Sequence, residues 1–249
     1  MNIRTKVAVF LLCNTMCFSV FALAPDSHSK KSPILSAPFK SLSITGTKIV
    51  FTYEELTRFF PKKKYGTLIL STKNNKDFTA AAMASDNKRY IANQFLQGYS
   101  PYKVTNVWQI MDRMRDFEFL ADGATVKKNR DVWLTGKEFF THRIGDCEDY
   151  AILLADWMIK NNWDARIILG TLNNIGHAWV LLRVNEKDYI LDSTKKSLFS
   201  QYRQFPLAKH KPEYKHEYMF NRNEFWSYEQ KKNNYKYSKT NWIHKSQIL

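Results

Sequence analysis

Apolar side chains recur at helical spacing in one stretch near the middle of the chain. They are Val107, Ile110, Met111, Met114 and Phe117, and they follow Thr105, a candidate N-cap. Residues three and four apart share a face of an α-helix, so the pattern predicts an amphipathic helix whose apolar stripe faces the core. Another helix is predicted over about residues 87–97.

Two capping boxes, each a threonine followed three residues later by a glutamate, mark further helix starts. Thr52 and Glu55 predict a short helix that Pro61 closes. Thr135 and Glu138 predict a second short helix. A third helix follows, and its apolar face contains Ala151, Leu154, Ala155, Met158 and Ile159.

Beyond the third helix the apolar pattern changes to a period of two, which is typical of strands. Strands are predicted over residues 166–172, 177–184 and 189–192, with a turn at 185–188. Helices followed by antiparallel strands predict an α+β fold.

The last two predicted strands bring a histidine and an aspartate toward each other. A two-residue turn at 186–187 would pair Leu181 with Asp192. Because side chains alternate between faces, His177 would then share a face with Asp192. His177 would still lie four residues farther along, roughly 13 Å at the rise of a strand. A bulge, a looser turn or a bent strand end is needed to close that gap.

The N-terminus has the features of a secretory signal peptide. Arg4 and Lys6 precede an apolar stretch, and Ala24 ends a small-x-small cleavage pattern. Residues 1–24 are therefore predicted to be removed near Ala24, which makes the mature protein periplasmic or secreted. The alternative is an uncleaved membrane anchor, but Asn14 interrupts its apolar run.

The remaining chain is predicted to have three parts. Residues 25–48 form a flexible leader, 49–206 a single main domain, and 207–249 a basic, aromatic C-terminal extension whose fold the pattern does not reveal. The net charge of +15 favours anionic partners, although compositional drift produces the same charge without creating a site.

Cleavage would leave Cys147 as the single cysteine of the mature chain. A lone thiol in an oxidising compartment is either buried or used. Cys147 lies at the predicted start of a helix, where exposed backbone N–H groups stabilise a thiolate. His177 and Asp192 supply a base and a carboxylate that orients it. The alternative is an inert cysteine, a histidine at the edge of the core and an aspartate in a turn.

Three segments carry these residues: Gly-Asp-Cys-Glu-Asp-Tyr-Ala at 145–151, His-Ala-Trp-Val at 177–180 and Leu-Asp-Ser-Thr at 191–194. They resemble the three signatures of transglutaminase-like proteins. With Asp-Val-Trp-Leu-Thr at 131–135, they resemble more narrowly the bacterial transglutaminase-like cysteine proteinases, including the periplasmic LapG type. The resemblance covers about residues 100–195.

This resemblance implies a papain-like, transglutaminase-like fold, with the nucleophile at the N-terminus of a central helix packed on an antiparallel sheet. It also implies a Cys-His-Asp triad, which falls on Cys147, His177 and Asp192. Trp133 is a candidate to lend its indole N–H to an oxyanion, and a plain core tryptophan is the alternative.

In LapG-type enzymes calcium binds acidic residues beside the cysteine, so the resemblance implies a Ca²⁺ site at Asp146 and Glu148, with Asp149 as a further candidate. Calcium takes 6 to 8 oxygen ligands, which two or three carboxylates do not complete. The alternative is that Asp146 caps the helix while Glu148 and Asp149 complement its dipole.

The function implied is a periplasmic cysteine endopeptidase acting on an envelope or surface protein. LapG-type enzymes release large surface adhesins and are restrained by an inner-membrane receptor, so such an adhesin and receptor are the implied partners. No nucleic acid is expected. The same triad also serves a protein transglutaminase or a cell-wall peptide amidase. A non-catalytic envelope-binding module would keep the fold and use the basic, aromatic C-terminus.

Overall fold

The computed structural model describes residues 67–71, 78–122, 131–195, 204–229 and 241–248, and the backbone of three short strands nearer the N-terminus. The predicted cleavage site, most of the predicted leader and the predicted helix at 52–61 lie outside the described residues. No helix within the described ranges is long and apolar enough to cross a membrane.

Helices and strands both occur in this part of the chain, as the α+β prediction requires. The α-helices are α1 (Val107–Met114), α2 (Gly136–His142) and α3 (Cys147–Lys160). The strands are β1 (Val7–Ala8), β2 (Leu42–Ile44), β3 (Thr47–Ile49), β4 (Leu68–Ser71), β5 (Phe78–Ala84), β6 (Arg89–Ile91), β7 (Glu118–Phe119), β8 (Val132–Trp133), β9 (Ile144–Gly145), β10 (Asp164–Leu172), β11 (Ile175–Val184), β12 (Lys187–Leu191), β13 (Tyr214–Phe220), β14 (Glu224–Tyr228) and β15 (Trp242–Ile248).

Helix α1 is the amphipathic helix that the apolar spacing predicts. Its stripe of Val107, Ile110, Met111 and Met114 is buried, together with the following Phe117. The N-cap is Asn106, one residue later than predicted, and its side chain accepts a hydrogen bond from the backbone N–H of Gln109 at 3.2 Å. Asparagine is among the strongest N-cap residues, which explains the shift.

Helix α2 begins with the predicted capping box. The Thr135 hydroxyl accepts from the backbone N–H of Glu138 at 3.3 Å, and the Glu138 carboxylate accepts from the backbone N–H of Thr135 at 2.9 Å. The helix ends at His142, because Arg143 adopts the left-handed conformation with φ of 59°. This abrupt stop turns the chain toward β9 and α3.

The helix predicted over about residues 87–97 is wrong. Strand β6 and a 3₁₀ turn at Ala92–Phe95 occupy that stretch. The Asn93 side chain donates to the backbone carbonyls of Asn221 and Glu224, at 2.7 and 3.0 Å. These contacts with a distant loop, and the pairing of β6 with β5, override the local helical preference.

An eight-stranded sheet in the order β12-β11-β10-β13-β14-β15-β2-β3 is antiparallel throughout. Helix α3 packs on β10 and β11 and buries apolar side chains such as Ile152, Ile167 and Val180. A second sheet has the order β1-β4-β5-β6, with β8 parallel to β5, and β7 pairs with β9. The predicted α+β class, with a cysteine helix on an antiparallel sheet, is confirmed.

Two stretches predicted to lie outside the catalytic domain contribute to this sheet. Strands β13, β14 and β15 come from residues 207–249, and β13 is hydrogen-bonded directly to β10. Strand β2, within the predicted flexible leader, pairs with β15. The sheet therefore continues across the predicted boundary at residue 206. Basic residues between the aromatic ones obscured the strand pattern, although Phe220 and Phe225 are fully buried.

Candidate active site

Cys147 is the first residue of α3, as predicted, and the chain reaches it through a tight approach. A Cβ atom on Gly145 would lie 2.3 Å from Oδ2 of Asp149 and 2.9 Å from the ring of Phe139. No other residue fits at position 145 without displacing these side chains. The glycine thus lets the strand β9 pass directly into the start of the helix.

The thiol of Cys147 faces strand β11. Its sulfur donates to Oε2 of Glu148 at 3.2 Å, and the backbone N–H of Ala178 donates to the sulfur. Because Ala178 follows His177 in the strand, the thiol lies beside the backbone that carries the candidate base.

The hairpin β11–β12 brings His177 close to Asp192. Its turn is Asn185-Glu186, with φ of 48° and 64°, rather than the predicted 186–187. Leu181 consequently pairs with Ile190 instead of Asp192. If this register is continued past Leu191, Asp192 lies opposite Trp179. His177 is then offset from Asp192 by two positions along the strand, rather than by the predicted four. The predicted register is wrong, and the smaller offset allows Nε2 of His177 to lie 2.9 Å from Oδ2 of Asp192.

Asp192 is fully partnered although it is buried, with only 1% of its surface exposed. Oδ1 accepts from the backbone N–H and the hydroxyl of Thr194, at 3.2 and 2.6 Å, and Oδ2 accepts from the Tyr214 hydroxyl at 2.8 Å. Burial acts to raise the pKa of Asp192, but these hydrogen bonds and the one with His177 outweigh it and hold the pKa below its usual value. The carboxylate is therefore ionised and able to orient the imidazole.

Four further carboxylates, those of Asp122, Asp131, Asp146 and Glu148, lie close together near the thiol of Cys147. Asp122, Asp131 and Glu148 place one oxygen each within 4.8 Å of one another, and Asp146 and Glu148 do the same with the sulfur of Cys147. Oδ2 of Asp146 accepts from the backbone N–H of Asp122 at 3.3 Å. Oδ1 of Asp131 and Oδ1 of Asp146 are buried without a hydrogen-bond partner. We call these four residues the acidic cluster.

The acidic cluster carries more negative charge than the protein compensates. Burial, followed by the charge of Asp146, raises the pKa of Asp122 to about 7. Burial is also the main cause that raises the pKa of Asp131, although a hydrogen bond with Glu148 acts against it. Burial, and then the charge of Asp146, raises the pKa of Glu148 well above its usual value. Unpartnered oxygens and crowded like charges are what a hard cation relieves, so the cluster fits a Ca²⁺ ion.

The thiol is affected by the same charge. Burial, and then the charge of Asp146, raises the pKa of Cys147 to about 12. A thiol in this setting is protonated at neutral pH. A thiolate therefore forms when His177 takes the proton or when the surrounding negative charge is offset.

Asp149, a sequence candidate for a metal ligand, lies outside the acidic cluster. Its Oδ1 accepts from the backbone N–H of Leu134 at 2.7 Å, and its Oδ2 accepts from the backbone N–H of Asp146 at 3.3 Å. The carboxylate thus holds the start of α3 in place. Asp146 occupies the N-cap position, but its carboxylate points into the cluster instead of capping the helix.

Trp133, the oxyanion candidate, is a core residue. It is 2% exposed, and its ring packs against Phe95 and Phe220. Its side chain hydrogen-bonds to Asp131, so the indole N–H serves the acidic cluster.

Sequence reasoning missed four residues of the site. Asp122 and Asp131 belong to the acidic cluster, and Thr194 and Tyr214 bind Asp192. Asp131 and Thr194 lie within segments that carried the family resemblance, which was a usable signal. Asp122 and Tyr214 stand in no recognisable motif and are brought in by the fold.

Residues 131–247 match the family model of the CEP76 peptidase-like domain. This stretch contains the three predicted triad residues and three residues of the acidic cluster, and it runs to the last strand of the sheet. The predicted resemblance is thereby confirmed for a peptidase-like domain. No curated protein gave a significant match.

Solved structures of low identity are also similar to the chain. The structure of EGTA-treated LapG from Legionella pneumophila has a TM-score of 0.42 and 21% identity, covering 56% of this chain and 75% of LapG. The calcium-bound form of that protein has a TM-score of 0.41 and 20% identity, covering 55% of this chain and 76% of LapG. A structure assigned as a cysteine protease of Cytophaga hutchinsonii has a TM-score of 0.30 and 24% identity, covering 37% of this chain and 33% of that protein.

Proposed function

We propose that this chain is a cysteine endopeptidase in which Cys147 is the nucleophile, His177 the base and Asp192 the residue that orients the base. The observation that carries the proposal is the hydrogen bond between Nε2 of His177 and Oδ2 of Asp192, at 2.9 Å, next to the strand backbone that binds the thiol of Cys147. A nucleophile, a base and a carboxylate that orients the base are the three parts of a catalytic triad, which supports the proposal.

In the proposed reaction, His177 takes the thiol proton through Nδ1, because Nε2 is engaged with Asp192. The sulfur of Cys147 attacks a peptide carbonyl, and backbone N–H groups at the start of α3 bind the resulting oxyanion. The imidazolium returns the proton to the leaving amine, and a thioester forms. His177 then takes a proton from water, and the water oxygen attacks the thioester carbon. The C–S bond breaks, the acid leaves, and the imidazolium returns its proton to the sulfur of Cys147.

We further propose that Asp122, Asp131, Asp146 and Glu148 hold a Ca²⁺ ion. Their four carboxylates offer up to eight oxygens, two of which are buried without a hydrogen-bond partner, and calcium takes 6 to 8 oxygen ligands. A bound calcium ion would supply positive charge beside the thiol. The protein side chains would then be relieved of the mutual repulsion that also disfavours a thiolate at Cys147.

The proposed substrate is an envelope or surface protein, with a large adhesin as the specific candidate, and the proposed location is periplasmic after cleavage near Ala24. An inner-membrane receptor is the proposed regulator. The signal-peptide features and the resemblance of three sequence segments support these assignments. The net charge of +15 is consistent with an anionic envelope environment.

The test is proteolysis of an envelope extract, in calcium and in chelator, with new protein termini mapped by mass spectrometry. We expect new termini with the parent protein in calcium, and none with Cys147→Ala or His177→Ala. His210→Ala is the matched control, because His210 is exposed and lies in a different element. The absence of new termini, together with incorporation of an added amine, would replace hydrolysis by transglutamination.

A further inference from the structure

Asp192 accepts hydrogen bonds from two sides, and one donor comes from the C-terminal strands. Thr194 saturates Oδ1, while the Tyr214 hydroxyl and His177 share Oδ2. Tyr214 belongs to β13, which is paired with β10 at Leu172. The tyrosine therefore reaches the aspartate from a strand that carries none of the three proposed triad residues.

The Tyr214 ring has little freedom to move. It is 2% exposed and meets Trp179 edge-on, with ring centroids 5.1 Å apart and an interplanar angle of 73°. The ring of His177 lies 6.4 Å from it, and the ammonium of Lys195 lies 4.9 Å from its centroid on a face. A ring held in this way fixes the direction of its O–H bond toward Asp192.

We propose that Tyr214 is a positioning residue: its hydroxyl fixes Oδ2 of Asp192, and through it the imidazole of His177, so that Nδ1 faces Cys147. This inference rests on the proposed function of the triad. Thr194 restrains Oδ1, the oxygen that His177 does not bind. The Tyr214 hydroxyl restrains Oδ2 directly, and Oδ2 is the oxygen that His177 binds.

Tyr214→Phe separates this role from simple packing, because it removes the hydroxyl and keeps the ring. The matched control is Tyr90→Phe, since Tyr90 is also 2% exposed and also donates to an aspartate, Asp86, at 2.7 Å. We expect Tyr214→Phe to lower kcat about tenfold with KM unchanged, as for loss of a hydrogen bond to a charged group. Tyr90→Phe should leave kcat unchanged.

The closing experiment measures the alkylation of Cys147 by iodoacetamide in the full chain, which requires no substrate. The modified peptide is identified by mass spectrometry, so other cysteines do not interfere. We expect Tyr214→Phe to slow alkylation about tenfold and Tyr90→Phe to leave it unchanged. In an Asp192→Asn background, Tyr214→Phe should cause no further slowing, because the two residues act through one contact.

Alkylation of Tyr214→Phe at the parental rate would overturn the inference. Equal slowing with and without Asp192→Asn would also overturn it, because that result indicates a general packing effect. The His177→Ala variant distinguishes failure of the proposed function from failure of this inference alone. If that variant is alkylated as fast as the parent, the proposed function fails and this inference fails with it. A rate that depends on His177 but not on Tyr214 would overturn this inference alone.

Discussion

Asp192 and Asp146 are buried aspartates on opposite sides of the same candidate site. Asp192 accepts hydrogen bonds from His177, Thr194 and Tyr214, and its pKa is held low despite burial. Asp146 has one oxygen without a partner, and burial raises its pKa. Burial is common to both, so the supply of donors makes the difference. The protein supplies Asp192 with hydrogen bonds, whereas it leaves buried carboxylate oxygens of the acidic cluster without donors.

The largest expected effect is on kcat and comes from Asp192, the aspartate that the protein supplies with hydrogen bonds. Asp192→Asn should lower kcat for peptide cleavage by about 10³ to 10⁴, because the imidazole loses its orienting charge. Asp164→Asn is the control, since Asp164 is exposed and bonds to Arg166. A loss of less than tenfold in Asp192→Asn, measured by steady-state kinetics, would contradict the assigned role.

Calcium should act at the acidic cluster. At a concentration of about 100 times its Kd, calcium should raise the free energy of unfolding by about 2.7 kcal/mol, measured by thermal unfolding. Asp131→Asn should lose most of this gain, whereas Asp116→Asn, which alters an exposed carboxylate outside the cluster, should retain it. An equal gain in both variants would place the ion elsewhere.

Replacing an aspartate by asparagine should have opposite effects on the free energy of unfolding at Asp131 and at Asp192. In chelator, Asp131→Asn should raise the free energy of unfolding by about 1 kcal/mol, because it removes a buried like charge. Asp192→Asn should lower the free energy of unfolding, because it replaces an acceptor that serves several donors. Urea denaturation measures both, and changes of the same sign would remove the contrast.

The smallest effect should come from one donor to Asp192. Thr194→Ala removes the 2.6 Å hydroxyl contact but keeps the backbone hydrogen bond to the same oxygen. It should cost about 1 kcal/mol of stability and reduce kcat a few-fold. Thr141→Ala, at an exposed hydroxyl that bonds to the Lys137 carbonyl, should change kcat little. Equal losses of kcat in both variants would assign no special role to Thr194.

Local patterns predicted local structure well. The apolar spacing predicted α1, the capping box of Thr135 predicted α2, and period-two alternation predicted β10 to β12. Each of these signals lies within a few residues of the element it specifies. The hairpin register failed because one residue of turn position shifts the pairing by two, and the sequence does not show which residues adopt positive φ.

Contacts between distant segments were not predictable in the same way. Asp122 and Asp131 reach the cysteine only through the packing of β8 and the segment after β7, and Tyr214 reaches Asp192 only because β13 pairs with β10. A helix was predicted at 87–97, where Asn93 instead binds the loop between β13 and β14. Residues that depend on tertiary pairing leave no periodic trace in a single sequence.

The pairing of β13 with β10 also affects the order in which the site is completed during synthesis. Cys147, His177 and Asp192 all leave the ribosome before Tyr214, and β10 lacks one of its two neighbours until β13 arrives. A growing chain would hold all three proposed triad residues while the Asp192 carboxylate still lacked its hydrogen bond from Tyr214. Completion of the site would therefore follow the docking of the later strands, and an incomplete chain would have little of the proposed activity while still being made.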